Sequence, residues 1–173
     1  MRIMVLSGSP REQGGTRAMV KAFAEGAREA GHTVDVFNVA DMNIAGCRAC
    51  EFCHTRGNGE CAQKDDMQQI YDEWDEMDML VLASPIYYGS ISGQLACALH
   101  RTYALGIPRK CSKTALFLCS GASGVYKAAE TIYHGFVHGY FGCKDMGVFE
   151  YTTGMATSER VRGTLRDFGR SLK

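Results

Sequence analysis

Apolar positions along this chain follow two rhythms. Ile3–Leu6, Met79–Ala83 and Thr114–Cys119 are short continuous runs, the pattern of strands buried on both faces. Thr33–Val39 and Met146–Tyr151 alternate apolar and polar residues, which suits strands at the rim of a sheet. The second rhythm is helical. Met19, Phe23, Ala27 and Ala30 share one face of a helix predicted over Thr16–Ala30, with Gly31 as its stop. Met67, Ile70, Tyr71, Trp74 and Met77 recur at helical spacing behind Asp65 and Asp66, which read as the cap. Further helices are predicted over Ser92–Leu105, Val125–Tyr140 and Ser158–Leu172. Asp41–Lys64 follows neither rhythm and reads as a long irregular loop. Five strands alternating with five helices predict a doubly wound α/β fold. A five-stranded parallel sheet in the order 2-1-3-4-5 places both alternating strands at the edges. One domain over residues 1–173 is expected, with a cysteine-rich insertion loop at about 44–64.

Charge and composition narrow the function classes. Nineteen basic residues balance nineteen acidic ones, so no nucleic-acid or membrane surface is expected. No apolar run approaches the ~20 residues needed to span a bilayer. Ile3–Leu6 is too short for a secretory leader, and a cytoplasmic location is expected. Eight cysteines are many for 173 residues. In a reducing compartment they read as buried thiols, metal ligands or redox groups rather than structural disulfides.

The first strand breaks into Ser7-Gly8-Ser9-Pro10-Arg11-Glu12-Gln13-Gly14-Gly15-Thr16 and then a helix. Strand, Gly/Ser loop and helix in that order make an anion site, because the first helical turn presents unpaired N–H groups and a positive dipole end. Ser7, Ser9 and Thr16 add hydroxyls, and Arg11 adds charge in a phosphate-matching fork. The loop lacks Gly-Lys-Ser/Thr and G-x-G-x-x-G, so it matches neither an NTP loop nor a dinucleotide fingerprint. It suggests a monophosphate. The third strand ends in Ser84-Pro85-Ile86-Tyr87-Tyr88-Gly89-Ser90, read as a loop. The fourth ends in Ser120-Gly121-Ala122-Ser123-Gly124. In the expected sheet these three loops meet beyond the strands' C-terminal ends, where such folds bind ligands.

The sharpest local signal is Cys47-x2-Cys50-x2-Cys53-x7-Cys61. Three thiolates at two-residue gaps can wrap three corners of a cubane, and a fourth closes it. Gly46, Gly57 and Gly59 allow a tight backbone path. Compact spacing favours a [4Fe–4S] cluster over zinc, and a metal-free thiol loop is the remaining alternative. Cys97, Cys111, Cys119 and Cys143 read as small buried hydrophobes. His134 and His138 lie four apart on a helix but lack the glutamate of a zinc protease. No Ser-His-Asp order or carboxylate pair supports hydrolysis.

Gly8-Ser9-Pro10-Arg11, Gly15-Thr16 and Ser84–Gly89 together resemble the flavodoxin-fold NAD(P)H-dependent FMN reductases. The cysteine segment followed by Asp65-Asp66-Met67 is similar to that family's iron–sulfur flavoprotein branch. Two departures stand out: Gly15 replaces a usual Asn, and the third helix reads Leu95-Ala96-Cys97-Ala98-Leu99-His100-Arg101, without the usual Lys and Asp. The resemblance implies a flavodoxin-like fold and tight FMN binding. The phosphate would sit in the first loop (Ser7, Ser9, Arg11, Gly15, Thr16) and the isoalloxazine against Pro85, Ile86, Tyr87, Tyr88 and Gly89. Ser120, Gly121 and Gly124 supply the third converging loop. NAD(P)H would reduce the flavin. Electrons would then pass to a small molecule or redox protein, singly through a cluster at Cys47, Cys50, Cys53 and Cys61 if one is present. A homodimer or homotetramer is implied. No catalytic side chain is named, because the cofactor carries the chemistry. The alternative is a non-catalytic electron-transfer flavoprotein reduced by a partner.

Overall fold

The computed structural model describes all residues, Met1–Lys173. In chain order the elements are β1 (Arg2–Ser7), α1 (Gly15–Glu29), β2 (Thr33–Asn38), α2 (Phe52–Thr55), α3 (Met67–Tyr71), β3 (Met79–Tyr87), β4 (Ser90–Ile91), α4 (Gly93–Arg101), β5 (Lys113–Ser120), α5 (Lys127–Ile132), α6 (Gly139–Phe141), β6 (Lys144–Thr152), α7 (Thr153–Ala156) and α8 (Glu159–Ser171). A 3-10 turn, Thr102–Ala104, follows α4, and a π-helical segment, Tyr133–His138, joins α5 to α6.

The sheet runs β2-β1-β3-β5-β6, all parallel, with β4 paired antiparallel to β3. Without β4 this is the expected order 2-1-3-4-5, with both alternating strands at the edges. Alternation along the central strands feeds two cores. Ile3, Val5, Met79, Val81, Ala83, Ala115, Phe117 and Cys119 meet α1 and α8 on one face. Met4, Leu6, Leu80, Leu82, Leu116 and Leu118 meet the layer of α3, α4, α5 and the π segment on the other. No helix is long and apolar enough to cross a membrane.

Several boundaries differ from the pattern reading. The sheet has six strands rather than five. The third does not stop at Ala83: it continues through Pro85 to Tyr87 and turns back at Tyr88-Gly89 into β4. Both turn residues have positive φ, +49° and +76°, which a two-residue hairpin of this hand requires. Met67, Ile70, Trp74 and Met77 are all buried as their spacing asks, yet only Met67–Tyr71 is α-helical and irregular turns carry the rest. The helix expected over Val125–Tyr140 widens at Tyr133–His138, a stretch that holds Gly135 and runs into Gly139, both weak helix formers. The helix from Ser92 ends at Arg101 rather than Leu105. Ala30 is exposed, and Cys97 and Cys111 are only half-buried.

Candidate functional site

Backbone geometry shapes the first site. Gly8 N–H, just past β1, donates to Ala83 O across the sheet (2.8 Å), and Gly14 N–H donates to Arg11 O (3.0 Å), closing the loop. Gly14 caps α1 with extended backbone and no side-chain bond, and the first turn holds no acidic residue. Its N–H groups and positive dipole end therefore stay available to an anion. Ser9 and Thr16 are buried at the floor. Arg17 braces the loop from behind: Nε and Nη2 donate to Ser9 O (3.1 and 3.0 Å), and Nη2 pairs with Asp41 at 2.6 Å.

One depression gathers Ser9, Arg11, Gly15, Thr16, Pro85, Ile86, Tyr87, Ser120 and Gly121 from the three converging chain segments. Gly14 of the same first loop also lines it, as do Cys119 and Thr153, two residues with no site signal in the sequence. Cys119 was legible only as a core residue, and it is one. As the last residue of its strand row on the α1 face, it is also the floor. A Cβ on Gly15 would lie 2.5 Å from Cys119 Sγ and 3.0 Å from Ala156 Cβ, so the Asn usual at that position in the resembled family has no room here. Burial pushes the Cys119 thiol up, against the pull of Thr153, Thr16 and Arg11, so it stays neutral. Four expected residues lie outside the depression. Ser7 is fully buried beneath it, its Oγ without a partner. Tyr88 and Gly89 form the hairpin tip, where Tyr88 is fully exposed. Gly124, with φ +76°, sits further along the loop after β5.

A second site lies on the long loop before α3. Cys47, Cys50, Cys53 and Cys61 all line one small hollow. Ala49 and Glu51 take the left-handed conformation between them, which lets the backbone wrap that hollow. A buried ion pair ties the loop's ends. Arg101 donates to both Asp65 carboxylate oxygens, at 2.6 and 3.0 Å, and to the carbonyls of Ala45 (3.0 Å) and Gln63 (3.2 Å). Asp65 also accepts from the amides of Ala45 and Met67, and Asp66 accepts from the Asn43 amide. Burial opposes ionisation of Asp65, but these donors outweigh it and hold its carboxyl below the usual range. Burial likewise raises the Cys61 thiol, yet the Gln63 amide, the Arg101 charge and the Tyr71 hydroxyl hold it below the ordinary value. At Cys53 burial wins, and that thiol is held above it. No three His, Cys, Asp or Glu side chains are arranged to hold a single metal ion. A cubane asks something different, four soft donors spread around its corners, and four thiols around one hollow fit that demand.

An apolar groove of about 940 Å³ adjoins the hollow and shares Cys47, Ala49, Glu51 and Tyr103 with it. Ile91 and Leu99 line it, and Phe136 and Tyr140 of the π-segment layer close its far side. His54 Nε2 lies 2.9 Å from Tyr103 O at the shared wall.

A family model described as NADPH-dependent FMN reductase matches residues 1–157. An iron–sulfur flavoprotein of Methanocaldococcus jannaschii is 32% identical over 107 residues, covering 62% of this chain and 54% of that protein. An iron–sulfur flavoprotein of Archaeoglobus fulgidus is 29% identical over 93 residues, 54% of this chain and 44% of its own length. The chain spans about half the length of the curated relatives it matches. An NAD(P)H:quinone oxidoreductase from Methanothermobacter marburgensis superposes with a TM-score of 0.74 at 19% identity, covering 100% of this chain and 96% of that one. At that identity the likeness shows the fold.

Proposed function

The chain belongs to the NADPH-dependent FMN reductase family, and from that premise we propose that it is an FMN-dependent oxidoreductase that draws electrons from NAD(P)H. The observation that carries this reading is the single depression built from the Ser9–Thr16 loop, Pro85–Tyr87 and Ser120–Gly121. Bound FMN would accept a hydride from NAD(P)H and release electrons singly or in pairs. The chain's own groups bind and orient. Ser9, Thr16 and the first-turn amides of α1 would hold the phosphate, with Arg11 neutralising it. Pro85–Tyr87 would flank the ring, and Tyr88 and Gly89 at the hairpin tip would stand over the entrance. Cys119 adds a neutral, apolar floor.

Cys47, Cys50, Cys53 and Cys61 would hold a [4Fe–4S] cluster and give electrons a one-at-a-time exit. The shared hollow and the names of the relatives support this. Cys47 and Cys50 are exposed, which also favours a second reading, an electron carrier serving a partner protein. NAD(P)H oxidation by the purified protein separates the two, since a carrier would show none. The acceptor is a small molecule or a redox protein. The exposed Tyr103 and Tyr140 beside the apolar groove support assembly as a homodimer or homotetramer.

Two measurements test the cofactors. Arg11→Ala with Thr16→Ala should weaken FMN by about 3 kcal/mol, on the order of a hundredfold in Kd, through lost charge-assisted contacts. Unchanged FMN affinity in that double variant refutes the phosphate assignment. After anaerobic expression with iron supplied, about four iron and four sulfide per chain are expected. Values near zero alongside full FMN would leave a plain flavin reductase.

A further inference from the structure

Arg101 closes α4 with only 1% of its side chain exposed. A guanidinium carries five N–H hydrogens. The four on Nη1 and Nη2 are matched by four contacts: Ala45 O and Asp65 Oδ2 for the first nitrogen, Gln63 O and Asp65 Oδ1 for the second. The fifth, on Nε, is buried without a partner. A buried charged donor left unpaired is costly, so its surroundings are expected to supply an acceptor. Arg101 lines the same hollow as Cys47, Cys50, Cys53 and Cys61.

We infer that Arg101 is a positioning residue for a cluster in this hollow: its Nη donors bind the loop's ends to Asp65, and its Nε–H donates to a sulfur, either a cysteine thiolate or a bridging sulfide. The inference rests on the four-cysteine reading above and goes beyond it in naming what tunes the site. A cluster's reduction adds one electron and makes or breaks no bond to the protein. The extra negative charge strengthens both the N–H to sulfur bond and the attraction to the guanidinium, so Arg101 favours the reduced form and raises the potential. Arg48 also borders the hollow, but it is exposed and its charge is screened by solvent.

The test uses the full chain, purified anaerobically with iron and reduced by dithionite. Wild type grown on arginine labelled with nitrogen-15 in the guanidinium group should show one nitrogen hyperfine coupling to the cluster spin by pulsed EPR. The coupling should vanish in Arg101→Lys, which keeps a cation for Asp65 but lacks the Nε–H, and persist in Arg48→Lys. Arg101→Lys should also titrate at a more negative potential than wild type with its iron and sulfide retained. A loaded wild type with no arginine coupling overturns the inference, and so does an Arg101→Lys variant with unchanged potential. If Arg101→Lys loses its iron, the wild-type coupling decides alone. A wild type with no iron or sulfide instead sinks the cluster reading itself, so the two failures are distinct.

Discussion

Glu150 lies on the edge strand β6, opposite Leu118, and has Glu130 of α5 for a neighbour. One of its carboxyl oxygens is buried without a partner. Burial, then the adjacent Glu130 carboxyl, push its pKa up to about 7. The folded chain therefore holds this proton more tightly than the unfolded one. The stabilisation is fully present below the ordinary glutamate range and is lost as pH rises through about 7. Glu150→Gln should raise the melting temperature at pH 8 and leave it nearly unchanged at pH 5. Equal shifts at both pH values would show that the carboxyl pair is not the source. Single residues were unevenly legible from the pattern. Ser9 and Thr16 were legible as residues of the loop that lines the depression, whereas Ser7, at the end of its strand, lies fully buried beneath it. Arg17 was not, since its acceptors are a carbonyl eight residues back and an acid twenty-four ahead. Spacing cannot link such partners.

Among the elements, α1 and α8 pack closely enough to exclude side chains where they touch. A Cβ on Gly26 would collide with Arg166 O, and one on Gly169 with Phe23 O and, at 2.6 Å, with Ala27 N. Backbone atoms of a helix cannot step aside as a side-chain tip can. Gly169→Ala should destabilise by about 3 kcal/mol, a loss of roughly 10 °C in Tm. Gly163 lies on the same helix with open space around it, and there Ala should stabilise by about 0.5 kcal/mol or more through propensity alone. If both substitutions lower Tm alike, close packing is not what singles out Gly169. Sequence signals located most helices and strands but not this contact, because a glycine inside a helix looks the same whether it faces solvent or a neighbour. The start of α8 was legible at Ser158, and the structure adds its cap: Ser158 Oγ accepts from Val161 N–H at 3.3 Å. The hairpin at Tyr88-Gly89 was not, because a tyrosine with positive φ is no turn signature.

For the whole molecule, continuous and alternating runs were enough to order the strands, since a strand's exposure follows from its neighbours in the sheet. That order placed the three loops together, and the depression at Ser9, Pro85 and Ser120 stands where they meet. The cysteine hollow was legible as a spacing and not as an architecture. The Arg101–Asp65 pair that shapes it joins residues 36 apart, one of which reads locally as a helix cap. The α1–α8 contact has a further consequence, for biogenesis. The helix that opens at Gly15 is made well before the helix that covers its back. About 140 residues separate Gly26 from Gly169, and at ~5–20 residues per second the ribosome takes roughly 7–30 s to cross that interval. Throughout it, the nascent chain carries α1 with its apolar back uncovered. The Ser9–Thr16 loop is therefore synthesised well before the packing that backs its helix.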